Sequence, residues 1–253
     1  MTIAFTVGQY DVRFSVTPED LTACQSLRHL CFFFEDGIDA DRFDPLCRHL
    51  MLHKAGELVA TCRLMLLKSG ASIDMSYAAQ RYDLSSLETY QGRMLEIGRF
   101  CIAPTISDPD VLRLCWGAIA QLVDLSDIGF IFGCTSFDGT DVAKFRQAFE
   151  LLADGYGPPA YFPIGCASSG AEDLESGLDY DRKVAVGQLP ALLRSYLSLG
   201  AWVSDHAVVD REMNTIHVFT GLEVEKIPAS KAQALRSIVP VERNPLAENA
   251  WVA

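Results

Sequence analysis

Several motifs that mark large enzyme classes are absent from this sequence of 253 residues. It contains no G-x-S-x-G, no P-loop and no G-x-G-x-x-G, which disfavours serine hydrolases, nucleotide-phosphate enzymes and Rossmann dehydrogenases. It also lacks an apolar run of the roughly 20 residues that a membrane-spanning helix requires, since the run 114–123 ends at Asp124. Basic residues are in deficit, with 21 Lys and Arg against 33 Asp and Glu. The net charge of −12 disfavours nucleic acid as a partner.

The eight cysteines form no C-x-x-C pair and lie mostly inside apolar runs. This usage predicts buried, reduced thiols in a cytoplasmic protein. The first sixteen residues show no basic leader or cleavage site, which agrees with a cytoplasmic location. Cys47, His49, Met51 and His53 would share one face of a strand, but no second ligand pair accompanies them. No metal site is therefore expected.

The hydrophobic pattern predicts a mixed sheet with helices on its faces. Hydrophobic residues make up 49% of the chain, which is enough to bury a large core. We expect one domain over 1–253, with a core at 1–155, a surface excursion at 155–187 and a C-terminal extension at 188–253. The predicted strands cover 10–16, 47–54, 57–67, 93–102, 130–137, 202–203 and 216–219, and the predicted helices begin near 18, 109, 141, 189 and 228.

Two charged patterns suggest a site. Five acids occur within ten residues at 35–44, which indicates either a solvated loop or a site for a cation such as a substrate ammonium group. Glu96 and Arg99 lie three positions apart on a predicted strand, on opposite faces unless a bulge at Gly98 intervenes. By itself this second pattern is more often a structural salt bridge to another element.

Five blocks occur in a fixed order: LRHLCFFFEDG with Asp41, FDPLCRHLMLHKAGELVATCRLML, EIGRFCIAP, FIFGCTSFDGTD, and YLSLGAWV followed by Asp210. Together they resemble the ornithine N-acyltransferases of bacterial ornithine-lipid synthesis, a branch of the GNAT-like fold related to acyl-homoserine-lactone synthases. The resemblance extends from Leu27 to about Phe219. It implies an α/β (α+β) fold with a GNAT-like mixed, mostly antiparallel sheet, helices on both faces and a C-terminal extension.

The resemblance further implies transfer of a 3-hydroxyacyl chain from acyl carrier protein to the α-amino group of ornithine, giving lyso-ornithine lipid. No cofactor would be bound permanently, because the donor is the acyl-phosphopantetheine of the carrier protein. Contact with the inner membrane from its periphery is left open. Carried over onto this sequence, the functional positions are Arg28, Phe32, Asp41, Asp44, Arg63, Glu96 and Arg99.

These positions suggest roles in amide formation. An α-amino group of pKa about 8 is roughly 10% deprotonated at pH 7, so Glu96 is the candidate general base. The backbone N–H groups of Phe100 and Cys101 are candidate donors to the oxyanion. Asp41 and Asp44 would receive the ornithine ammonium, and Arg28 or Arg63 its carboxylate. Alternatively, Asp44 and Arg63 only hold the loop to the sheet.

One departure from the resemblance concerns the donor. Many family members carry Tyr-Arg before the second long helix, where this chain has TISDPD at 105–110. Two aspartates would repel the pyrophosphate of coenzyme A at a helix start, which favours a carrier protein. Docking of that acidic partner would need basic residues, and the available ones are Arg42, Arg48, Lys54, Lys144 and Arg146.

Three alternatives remain open. The acceptor could be another amino acid, or S-adenosylmethionine in a lactone synthase, although the YLSLGA block argues against the latter. The protein could also be a lipid-binding domain of the same fold without catalytic activity.

Overall fold

A computed structural model describes residues 3–167, 170–177 and 179–239. No helix in these described ranges combines the length and apolar character that crossing a membrane requires. The strands are β1 (Ala4–Val7), β2 (Tyr10–Phe14), β3 (Arg48–Lys54), β4 (Glu57–Leu67), β5 (Tyr82–Asp83), β6 (Arg93–Ile102), β7 (Ile128–Asp138), β8 (Gly165–Cys166), β9 (Ala171–Asp173), β10 (Trp202–Asp210) and β11 (Thr215–Glu223). The helices are α1 (Pro18–Phe33), α2 (Pro109–Ser126), α3 (Arg146–Gly155), α4 (Arg182–Gln188), α5 (Ala191–Ser198) and α6 (Ala229–Arg236).

The first of two compact units contains the described residues of 3–65, 98–128 and 229–239. Its strands follow the order β1-β2-β3-β4-β6, and the first four pair antiparallel. The hairpin between β3 and β4 turns at Ala55 and Gly56, whose φ angles are 50° and 88°. Two consecutive positive φ angles match the right-handed twist of the flanking strands. The two strands predicted at 47–54 and 57–67 thus form an antiparallel hairpin.

Helix α1 begins where the sequence predicts. Thr17 caps it by accepting the backbone N–H of Asp20, and the Asp20 side chain accepts the N–H of Thr17 in return. Pro18 at the first helical position costs no hydrogen bond, because that N–H would have no partner within the helix. The helix ends at Phe33, and the next residue, Phe34, caps it in the left-handed conformation at φ 58°. The segment that follows is the acidic loop, defined here as residues 34–47.

The second unit contains the described residues of 66–97 and 129–228. Its main sheet follows the order β6-β7-β11-β10-β9, and β5 pairs separately with β8. A core of Phe137, Phe149, Val203 and Ile216 packs between this sheet and helices α3 and α4. Strand β6 passes from the second unit to the first between Ile97 and Gly98.

The mixed fold with a large, mostly antiparallel sheet is confirmed, and β4 and β6 have the predicted bounds. Strands β10 and β11 are longer than the strands predicted at 202–203 and 216–219. The segment 155–187 also contains more structure than a surface excursion, because β9 pairs with β10 and Ala185 of α4 is fully buried. The division of 1–253 into one domain with core, excursion and extension stays a prediction.

Candidate active site

Three arginines and three aspartates of the first unit form one connected network, named here the Arg–Asp network. Its aspartates, Asp39, Asp41 and Asp44, all come from the acidic loop. Arg28 of α1 is the centre, and its side chain is completely buried. Its Nε donates to Asp39 Oδ2 at 2.8 Å, Nη1 to Asp44 Oδ1 at 2.8 Å, and Nη2 to the Asp39 carbonyl oxygen at 2.5 Å. The Arg28 guanidinium group therefore holds both Asp39 and Asp44 of the acidic loop against α1.

Arg63 of β4 ties the same loop to the sheet. Its Nη1 donates to Asp41 Oδ1 at 2.5 Å and to Asp44 Oδ1 at 3.1 Å. Only 3% of the Arg63 side chain is exposed. This geometry agrees with the alternative stated above, that Arg63 and Asp44 hold the loop to the sheet.

Arg99 of β6 completes the network. Its Nε donates to Asp39 Oδ2 at 3.0 Å and its Nη2 lies 3.5 Å from Asp41 Oδ2. The guanidinium also lies over the ring of Phe32, 5.7 Å from the centroid. The sequence allows a bulge at Gly98, and the residue after it, Arg99, has the left-handed conformation with φ 50°. Non-glycine residues rarely adopt this conformation, and it interrupts the side-chain alternation of the strand.

The network brings three guanidinium groups against three carboxyl groups, and this affects the pKa of Asp41 and of Asp44. Burial by itself raises the pKa of Asp44, but hydrogen bonds from Arg28 and Gln25 outweigh it and leave that pKa well below its usual range. Burial by itself also raises the pKa of Asp41. The hydrogen bond from Arg63 and the attraction to its charge outweigh burial, so the pKa of Asp41 is lowered as well. The Asp41 side chain is 23% exposed, against 3% for Asp44. Asp41 is therefore the carboxylate of the pair that an incoming ligand can reach.

Glu96 lies in the second unit, 5% exposed. Its Oε2 accepts the backbone N–H of Tyr77 at 3.0 Å, and its Oε1 accepts that of Ala78 at 2.7 Å. These amides begin a short 3-10 helix at Ala78–Gln80. The same segment is anchored elsewhere, since Arg81 donates to Asp210 at 2.9 Å. The sequence Ser-Tyr-Ala at 76–78 carries no signal that would have predicted these partners.

The remaining predicted positions differ in accessibility. Phe32 and Phe100 are half-buried, and the Cys101 side chain is 4% exposed. Arg42, Lys144 and Arg146 are exposed, but Arg146 pairs with Glu150 at 2.7 Å. Among the described residues, no group of three or more His, Cys, Asp or Glu is placed to hold a metal ion.

The start of α2 is acidic. Asp108 caps the helix by accepting the N–H of Asp110 at 3.0 Å, and it also accepts a hydrogen bond from the Tyr10 hydroxyl group. Lys54 Nζ lies 3.3 Å from Asp108 Oδ2, the oxygen that accepts the Tyr10 hydroxyl group. The exposed N–H groups and positive dipole of a helix start attract anions, but here a side chain of the protein already supplies the negative charge.

Fold and domain comparisons define the class of protein. Residues 31–117 match the family described as Acetyltransferase (GNAT) domain. The loading GNATL domain of CurA from Lyngbya majuscula superposes with a TM-score of 0.51 at 13% sequence identity, covering 86% of this chain and 99% of that chain. The protein thus has the GNAT fold, as the sequence predicted.

Two curated relatives narrow the class. The L-ornithine N(alpha)-acyltransferase of Rhodobacter capsulatus is 31% identical over 234 residues, which cover 85% of this chain and 90% of the relative. The L-ornithine N(alpha)-acyltransferase of Brucella abortus is 29% identical over 243 residues, covering 87% and 86%. The chain belongs to the L-ornithine N(alpha)-acyltransferase family, which confirms the resemblance seen in the sequence.

Proposed function

We propose that this protein transfers a 3-hydroxyacyl chain from acyl carrier protein to the α-amino group of L-ornithine, giving lyso-ornithine lipid. The observation that carries the proposal is the similarity, over 85% of the chain, to a relative named for N(alpha)-acylation of ornithine. The proposal places the reaction in the cytoplasm, with its amphiphilic product released at the inner membrane surface.

In the proposed reaction the neutral α-amine attacks the thioester carbonyl carbon. A C–N bond forms, the C–S bond breaks, and the phosphopantetheine thiol leaves with a proton. Glu96 accepts the proton of the amine directly or through water, a role worth roughly 10² to 10⁴ in rate. The amides of Tyr77 and Ala78 fix the Glu96 carboxylate in position. The N–H groups of Phe100 and Cys101 are the proposed donors to the oxyanion.

Burial divides the Arg–Asp network into two proposed roles. Arg28 and Asp44 are almost completely inaccessible, at 0% and 4% exposure, so we assign them to holding the acidic loop. Asp41 is the accessible carboxylate, and we assign it to the side-chain ammonium of ornithine. Arg99 is the proposed partner of the ornithine carboxylate, because a guanidinium can bind a carboxylate with two parallel hydrogen bonds. Arg63 positions Asp41 through its 2.5 Å contact.

The acidic start of α2 supports a carrier-protein donor. Coenzyme A brings a diphosphate and a further phosphate, whereas the phosphopantetheine arm brings a single phosphate. Negative charge on Asp108 and Asp110 opposes the more highly charged donor more strongly. A carrier-protein enzyme therefore fits this helix start better than a coenzyme A enzyme does.

The test incubates purified protein with 3-hydroxyacyl carrier protein or 3-hydroxyacyl-coenzyme A and a panel of amines, followed by mass spectrometry. We expect an acylated product with ornithine and the carrier-protein donor. A lactone from S-adenosylmethionine would identify a signal synthase instead. Binding of acyl carrier protein without product from any amine would identify a non-catalytic lipid-binding domain. Equal or faster turnover with the coenzyme A donor would disprove the assignment of the donor.

A further inference from the structure

Asp210, the last residue of β10, uses its two carboxylate oxygens for different contacts within the second unit. Only 1% of its side chain is exposed. Oδ1 accepts the backbone N–H groups of Glu212 and Met213, both at 3.1 Å, and so closes the turn between β10 and β11. Oδ2 accepts Arg81 Nη2 at 2.9 Å, and the Tyr77 hydroxyl group lies 3.5 Å from the same oxygen. One oxygen therefore serves the local turn, and the other reaches a segment 129 residues earlier in the chain.

That earlier segment, residues 76–81, is the one that holds Glu96. The Glu96 carboxylate accepts the N–H groups of Tyr77 and Ala78 at 3.0 Å and 2.7 Å. The Arg81 N–H in turn donates to the Ala78 carbonyl oxygen at 3.0 Å, and the Gln80 N–H to that of Tyr77 at 3.1 Å. The amides that hold Glu96 and the side chain that contacts Asp210 thus belong to one short 3-10 helix. A displacement of Arg81 would therefore displace those amides.

The local turn does not explain why residue 210 carries a charge. An asparagine closes such a turn equally well through its side-chain oxygen. A buried carboxylate costs free energy unless its charge is paired, and Arg81 supplies that pairing. Burial by itself lowers the pKa of Arg81, but the attraction to Asp210, with smaller contributions from Tyr77 and Glu212, outweighs it and raises that pKa. The charge of Asp210 is therefore directed at the segment 76–81.

We propose that Asp210 is a positioning residue for acyl transfer, which holds the Glu96 carboxylate in one orientation through Arg81 and the amides of Tyr77 and Ala78. Strands β7 and β11 separate the strands that carry the two acids, so the segment 76–81 forms the connection between them. A reacting group needs such support, because a misplacement of about 1 Å costs roughly a hundredfold in rate. The inference rests on the proposed function, in which Glu96 is the general base.

The first experiment measures ornithine acylation by Asp210→Asn. Asparagine keeps the oxygen that closes the turn and replaces the oxygen that accepts Arg81. We expect kcat to fall by roughly tenfold to a hundredfold, with KM for ornithine unchanged, because the lost contact is to Arg81 and not to substrate. The control is Glu212→Gln, whose carboxylate lies 3.6 Å from the same guanidinium but is 88% exposed, and it should keep the wild-type kcat.

An unchanged kcat in Asp210→Asn would overturn the proposal. Should that variant not fold, Arg81→Met removes the same contact from a side chain that is 27% exposed. The loss expected for Arg81→Met is the same, and an unchanged kcat there would overturn the proposal equally.

The second experiment separates positioning from general damage to the fold. A residue that acts through Glu96 has no further effect once Glu96 is replaced, so Asp210→Asn combined with Glu96→Gln should match the kcat of Glu96→Gln alone within about twofold. A structural defect would instead lower kcat by the same factor in both backgrounds. That second result would overturn the positioning role.

The third experiment does not depend on activity. Amide hydrogen exchange, followed by mass spectrometry of peptides, reports how firmly a segment is held. In Asp210→Asn we expect faster exchange in the segment 76–81 and unchanged exchange in β7. Unchanged exchange at 76–81 would show that Asp210 does not hold this segment, and faster exchange with wild-type kcat would show that holding it does not matter to the reaction. If the wild type acylates no amine, the proposed function fails, and exchange still decides whether Asp210 holds the segment.

Discussion

Replacing Arg28 by methionine separates a structural role from a substrate-binding role. Methionine fills much of the arginine volume but donates no hydrogen bond. The change removes the contacts to Asp39 and Asp44, and it leaves Asp44 at 4% exposure without its main counter-ion. Since breaking a buried ion pair from one side costs about 3–5 kcal/mol, we expect the free energy of unfolding to fall by that amount.

For a chain of about 250 residues this loss corresponds to a decrease of roughly 6–20 °C in Tm. Urea unfolding followed by circular dichroism measures the free energy directly, and calorimetry measures Tm. The matched control is Arg113→Met, because Arg113 pairs with Asp110 at 2.9 Å on the surface of α2 with half of each side chain exposed. An exposed pair is worth about 0–1 kcal/mol, so this control should unfold almost as the wild type does.

Ornithine kinetics complete the test. If Arg28 bound the ornithine carboxylate, Arg28→Met would raise KM strongly while unfolding stayed unchanged. That combination would refute our interpretation that complete burial dedicates this guanidinium to the acidic loop. Equal destabilisation in the two arginine variants would refute the magnitude derived from burial.

Three further changes test other parts of the structure. Glu96→Gln removes one of the two oxygens that accept backbone N–H groups, so it should lower the free energy of unfolding by about 1–3 kcal/mol. It should also lower turnover by about 10² to 10⁴. Unchanged turnover in a variant whose urea unfolding has been measured would exclude Glu96 as the general base. Asp44→Asn should destabilise the protein strongly at pH 7 and less at pH 3. A carboxyl group whose pKa is lowered by folding contributes stability that is lost as the pH falls below 3.8, its pKa in the unfolded chain. A loss of unfolding free energy that is the same at both pH values in urea would contradict this. Gly133→Ala places a Cβ 2.2 Å from the Ile97 carbonyl oxygen and should lower the free energy of unfolding by about 1–3 kcal/mol. The control, Gly187→Ala in α4, has open space around the new Cβ and should stabilise the protein slightly. Equal Tm values for the two variants would show that the close approach at Gly133 does not matter.

The sequence by itself determined the local elements of this protein. Strand β6 has the predicted bounds, and α1 starts at the predicted proline, because alternation and capping depend on residues only a few positions apart. The order and spacing of the five blocks also indicated the family, which composition by itself could not do. The sequence also left open a structural salt bridge from the Glu96–Arg99 pattern to another element, and Arg99 pairs with Asp39 and Asp41 of the acidic loop.

Only the tertiary structure decided which charged residues are accessible. The pattern of acids at 35–44 left Asp41 and Asp44 equivalent, and burial distinguishes them. The amide partners of Glu96 also have no local signal. They join residues far apart in the chain, and the packing of helices and strands brings them together. Local periodicity specifies which face of an element is buried, but not which side chain of another element it meets.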